Sequence, residues 1–172
     1  MTTYVALLRA VNVGARTVPM AELRRAFVDM GYDDVQTYIQ SGNVVFGASG
    51  SATSVAARVR RGLEAELGPG IGVVLHTPAQ LGAVVRRNPL ASHEPGTLHV
   101  TFLGSTPAAA KVRALDPDGF APDVYRISGR HVYLHCPNGY GRSKLTNAFF
   151  ERKLGVMATT RNLRTVTTLA TM

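Results

Sequence analysis

The sequence predicts an α+β protein of two similar halves in tandem, each an antiparallel sheet with helices on one face. Three observations predict it. Strand-like and helix-like segments alternate along the chain, the order βαββαβα reads twice, and the junctions between corresponding elements match. With 172 residues, 45% hydrophobic and 17% charged, there is ample apolar material for a core and no signature of disorder.

Residues 4–10 form a short apolar run ending beside Arg9, the pattern of a buried strand. Pro19 suits a first helical turn, and Met20, Leu23, Phe27 and Met30 then recur at helical spacing until Gly31 closes the helix. Val35, Thr37 and Ile39 alternate with Gln36, Tyr38 and Gln40, which is strand period two. Gly42-Asn43 reads as a type II′ hairpin turn returning into a paired strand over 44–46. A helix over 52–67 stops at Gly68, residues 71–76 form a strand, and Thr77-Pro78 caps and opens a helix to Val85.

The same order then restarts. Residues 98–103 are a strand, 107–115 a short helix, and 124–127 with 131–136 a hairpin around Ser128-Gly129. A helix over 144–154 is closed by Gly155, residues 156–158 are extended, and Thr160 caps a last helix through Leu169. The join Glu64-Ala65-Glu66-Leu67-Gly68 has its counterpart in Glu151-Arg152-Lys153-Leu154-Gly155. Each βαββαβ unit is the ferredoxin-like topology. The halves are placed at residues 1–90 and 97–172, packed as one compact domain.

No apolar run approaches the roughly 20 residues of a membrane helix, and the start of the chain lacks the pattern of a signal peptide. A single cysteine, Cys136, excludes an internal disulfide and fits a reducing compartment, so the cytoplasm is expected. The formal net charge is +8, from 16 Arg and 3 Lys against 11 acids. Such a balance favours an anionic partner, although an Arg-rich composition alone also produces it. The last 35 residues hold six basic residues and one acid.

Three stretches carry a resemblance. They are Leu8-Arg9-Ala10-Val11-Asn12-Val13-Gly14 leading to Val18-Pro19-Met20, then Tyr38-Ile39-Gln40-Ser41-Gly42-Asn43-Val44-Val45-Phe46, and Gly141-Arg142-Ser143-Lys144-Leu145 running on to Ala158-Thr159-Thr160-Arg161-Asn162. Together they resemble the bacterial domain of unknown function 1697 family over essentially the whole chain. The resemblance implies a duplicated ferredoxin-like fold and brings no reaction with it. The chain departs from the pattern at Ala15, where a second Gly is common, and at Leu163, where a Trp is common.

The candidate site residues lie in these stretches. The loop after the first strand, with Arg9 and Asn12, leads through glycine to a helix start and presents N–H groups to an anion. It is also explained as a simple turn. Turn chemistry accounts for Gly42 and Asn43 but requires neither Gln40 nor Ser41. In Gly139-Tyr140-Gly141-Arg142-Ser143-Lys144, two glycines allow close approach. Arg142 offers a planar fork and Lys144 a point charge, with no acid near in sequence. Thr160, Arg161 and Asn162 place hydroxyl, guanidinium and amide at an expected helix start, where a cation opposes the dipole.

No metal or other cofactor is expected. His131 and His135 stand roughly 13 Å apart at strand rise, and Cys136 points to the face opposite His135, with Val132 and Leu134. The expected function is binding of an anionic ligand, a phosphate-bearing small molecule or a nucleic acid, with Tyr38 and Phe46 or Tyr125 and Tyr133 as the only aromatic pairs placed to stack bases. The alternatives are a small metal-independent enzyme acting on a phosphate- or carboxylate-bearing metabolite, and an interaction domain with no ligand.

Overall fold

In the computed structural model, residues 1–11 and 17–172 are described. By contacts the chain divides into two units, residues 1–81 with 169–172 and residues 82–168.

The first unit runs β1 (Thr2–Arg9), α1 (Met20–Asp29), β2 (Asp33–Thr37), β3 (Asn43–Ala48), α2 (Ala52–Leu67) and β4 (Gly72–His76), followed by α3 (Pro78–Arg86). Its sheet is antiparallel, in the order β2-β3-β1-β4. The second contains β5 (Leu98–Leu103), α4 (Ala109–Arg113), β6 (Val124–Ser128), β7 (His131–His135), α5 (Asn147–Leu154), β8 (Ala158–Asn162) and α6 (Leu163–Leu169). Its order, β6-β7-β5-β8, repeats the first with each strand replaced by its counterpart. This is the duplicated ferredoxin-like arrangement.

Side-chain alternation decides what each sheet face does. On β1, Tyr4, Ala6 and Leu8 join Val44 and Phe46 of β3 in one apolar cluster with Leu23 and Phe27 of α1 and Val55, Val59 and Leu63 of α2. The α2 residues fall four apart, so they line one stripe. Each such side chain, fully buried, contributes roughly 1.5–3 kcal/mol. In the second unit Leu103, Tyr125, Val132, Leu134 and Cys136 gather with Phe149, Phe150 and Leu154 of α5. Phe150 meets the Tyr125 and Phe149 rings edge-on at 5.4 and 5.1 Å, the favoured aromatic geometry.

Local signals set most ends. Ser51 Oγ accepts from Ser54 N–H at the start of α2, and Gly68 ends it with φ +96. Thr77 Oγ1 accepts from Gln80 N–H while Gln80 Oε1 accepts from Thr77 N–H, a reciprocal capping box at α3.

Four expectations are corrected. β2 ends at Thr37, because Ile39 adopts φ +48 and turns outward, 47% exposed. Gly42-Asn43 is therefore not a two-residue turn: residues 38–42 form the loop and Asn43 opens β3. The second hairpin does turn tightly, with Ser128 and His131 paired and Gly129 at φ +58, so the two tips are not equivalent. The helix expected from Lys144 begins at Asn147, capped by Thr146 Oγ1 accepting from Phe149 N–H. Finally, Thr160 does not cap a helix. It lies inside β8 opposite Thr101, and Asn162 Oδ1 accepts from Thr165 N–H at the start of α6.

Candidate functional site

Between β7 and α5 the chain takes eleven residues, 136–146, around a 3-10 turn over Tyr140–Arg142. Gly139, at φ +93, donates its N–H to the Cys136 carbonyl; Arg142 N–H reaches Gly139 O and Ser143 N–H reaches Tyr140 O. The Tyr140 ring stacks on His99 at 4.9 Å. This folded segment faces the turn Phe120 to Asp123, closed by Asp123 N–H to the Phe120 carbonyl and containing the cis Ala121–Pro122 bond.

The Ser143 hydroxyl bridges the two. It donates to Asp123 Oδ2 at 2.7 Å and accepts from Leu145 N–H at 3.0 Å. Between the segments lies an open cleft of about 460 Å³, lined among others by Phe120, Asp123, Asn138, Gly139, Arg142 and Lys144. Its size is that of a small-molecule site. Among the described residues, neither Arg142 nor Lys144 forms a side-chain hydrogen bond or an ion pair. Among the described residues, Asp123 is the only acid lining it. No acid is near Arg142 and Lys144 in sequence, but the fold brings in Asp123, 20 residues before Ser143.

The thiol of Cys136 is fully buried beneath this segment with Val132 and Leu134. Burial pushes it up, with the neighbouring Ser143 side chain opposing and the Asp123 carboxylate adding to the rise, so it stays protonated. His135 stacks on His93 at 3.8 Å. Thr97 Oγ1 gives its single proton to the Glu94 carbonyl and lies 2.9 Å from His135 Nδ1, so Nδ1 must be the donor of that contact. Burial and then His93 lower the pKa of His135, with Asp123 opposing. Among the described residues no three His, Cys, Asp or Glu gather closely enough to hold a metal ion.

The other sequence candidates fall elsewhere. Thr160 Oγ1 donates to Asn147 Oδ1 and contacts Thr101 Oγ1, each at 2.7 Å. Arg161, only 6% exposed, sits within β8 and donates Nη1 to Thr159 Oγ1 and the Thr160 carbonyl. Burial lowers its pKa to about 10, with Tyr140 opposing. It does not line the cleft, and the objection to a cation at a helix start does not apply to a strand residue. In the first unit, Asn43 is fully buried and donates Nδ2 to the Tyr38 carbonyl, a loop-closing role. Gln40 and Ser41 are exposed on that loop, which meets β1 through Leu8 N–H to the Gly42 carbonyl, at the end of the strand that carries Arg9. Asn12 lies outside the described residues. Phe46, Tyr125 and Tyr133 are buried and offer no face for a base. No residue type or spacing marks Phe120 or Asp123 as neighbours of Arg142; only the fold does.

Residues 1–133 match the model of the family described as protein of unknown function, DUF1697. The chain belongs to this family. The first two family-like stretches lie within the matched residues, and the stretch with Arg142 and Lys144 lies beyond them. Among solved structures, a conserved bacterial protein from Streptococcus pneumoniae is similar at a TM-score of 0.76 and 22% identity, over 100% of this chain and 98% of that one. This likeness is one of fold. No curated protein matches the chain in sequence. Among the described residues, no helix is long and apolar enough to cross a membrane.

Proposed function

We propose that this family member is a cytoplasmic binding protein for a phosphate-bearing small molecule, held in the cleft between residues 119–123 and 138–144. One observation carries the reading: Arg142 and Lys144 share a cleft of ligand size without side-chain partners among the described residues. A guanidinium fork and an ammonium are the groups that hold a phosphate, one bidentate and one as a point charge. The only carboxylate lining the cleft among the described residues, Asp123, already accepts a hydroxyl at one oxygen. A small molecule is favoured over nucleic acid because three of the four aromatic rings placed to stack bases are in the core.

Titration calorimetry with inorganic pyrophosphate tests it. Arg142→Ala should weaken binding by about 1.5–3 kcal/mol, the scale of a charge-assisted hydrogen bond, and Lys144→Ala by a similar or smaller amount. Arg58→Ala, in the first unit, should leave it unchanged. Equal affinity in wild type and Arg142→Ala overturns the reading.

A further inference from the structure

We infer that the ligand of this cleft is a sugar phosphate, its phosphate on Arg142 and Lys144 and its hydroxyls on Asp123 and Asn138; this rests on the phosphate-binding reading above. The cleft, at about 460 Å³, is far larger than a phosphate ion, so the phosphate is one end of a bigger molecule. What lines the rest specifies that molecule. Asp123 Oδ2 takes the Ser143 hydroxyl, while Oδ1 has no hydrogen-bond partner among the described residues. A carboxylate oxygen inside an anion site repels the phosphate unless the ligand brings a donor to it. Asn138, exposed in the same cleft and without a side-chain partner, supplies both an acceptor and two donors. A hydroxyl, which donates and accepts at once, satisfies this pair. An ammonium, which only donates, leaves the Asn138 N–H groups unmatched.

Phe120 completes the wall. It is half-buried, its ring fixed edge-on against Phe149 at 5.1 Å, and it lines the cleft. A ring so fixed gives an apolar seat to the C–H face of a sugar, whose hydroxyls project sideways to carboxylate and amide. Carboxylate, amide, aromatic ring and two cations in one cleft match the parts of a phosphorylated sugar.

The test is calorimetry with glucose 6-phosphate, phosphoethanolamine and inorganic phosphate on wild type, Asp123→Asn, Asn138→Ala and Arg142→Ala. Wild type should bind glucose 6-phosphate at least about tenfold more tightly than inorganic phosphate, the scale of one or two hydroxyl contacts. Asp123→Asn should move the two in opposite directions, weakening the sugar phosphate and strengthening inorganic phosphate. Asn138→Ala removes an exposed side chain and so leaves the fold intact; it should weaken the sugar phosphate alone. If Asp123→Asn strengthens both, the carboxylate is only repulsive and the inference falls. It falls equally if phosphoethanolamine binds more tightly than glucose 6-phosphate. If wild type and Arg142→Ala bind every phosphate equally, the phosphate reading itself has failed, which is a different outcome.

Discussion

The two units pass from third strand to second helix in different ways. In the first, three residues, 49–51, join β3 to α2, Ser51 caps the helix, and Arg58 Nη2 folds back on the Ser49 carbonyl at 2.7 Å. In the second, eleven residues join β7 to α5, and among the described residues the cations they carry have no such partner. The strand order is the same in both, so topology does not demand the longer junction. The comparison teaches that a duplicated scaffold can hold one copy of a junction at the minimum length and elaborate the other into a cleft, which is where loops acquire binding residues.

Three measurements can break or sharpen this contrast. The largest effect concerns which cations hold the second unit together. Arg161→Ala, which strips two bonded acceptors of their donor inside β8, should lower stability by about 3 kcal/mol, whereas Arg142→Ala should stay within about 0.5 kcal/mol. Urea denaturation reads both, and comparable losses would make the cleft cation structural.

A smaller effect separates the hairpins. A Cβ at Gly42 would stand 3.2 Å from Leu8 Cβ at φ +76, whereas at Gly129, with φ +58, it meets nothing within 4 Å. Left-handed strain is common to both, about 1–2 kcal/mol, so Gly129→Ala should lose that alone and Gly42→Ala roughly 1 kcal/mol more. Equal losses in thermal unfolding would show that the first loop yields freely.

The smallest concerns acid. Asn43 and His131 each open the third strand of their unit. The amide does not titrate; the imidazole, through burial and then Arg130 and Arg87, is lowered to about 4. A histidine whose folded pKa lies below its unfolded value contributes fully above about pH 6.5 and loses that contribution as pH falls towards 4. Hydrogen exchange should therefore show β7 losing protection before β3 between those values, and simultaneous loss would remove the distinction.

The regular framework was legible in the sequence because local chemistry writes it. The helix expected over residues 52–67 and stopped by Gly68, and the strand expected over 98–103, match α2 and β5. What escaped depends on partners distant along the chain. Thr159-Thr160-Arg161-Asn162 looks like a cap and a polar turn, yet it pairs with β5, the Thr101 and Thr160 hydroxyls meeting across the strands. Ser143 looks like a helix cap, yet it bonds to Asp123 and leaves capping to Thr146. The positive charge of the candidate site was readable from Arg142 and Lys144; its acid and its aromatic wall were not.

The Ser143–Asp123 hydrogen bond also has a kinetic consequence. It ties the two loops to each other through the protein's own groups, so the ligand proposed for the cleft would meet walls already ordered and forfeit little chain entropy on entering. Association of that ligand would then proceed at the rate of productive encounters, and differences in affinity among the proposed ligands would show as differences in residence time.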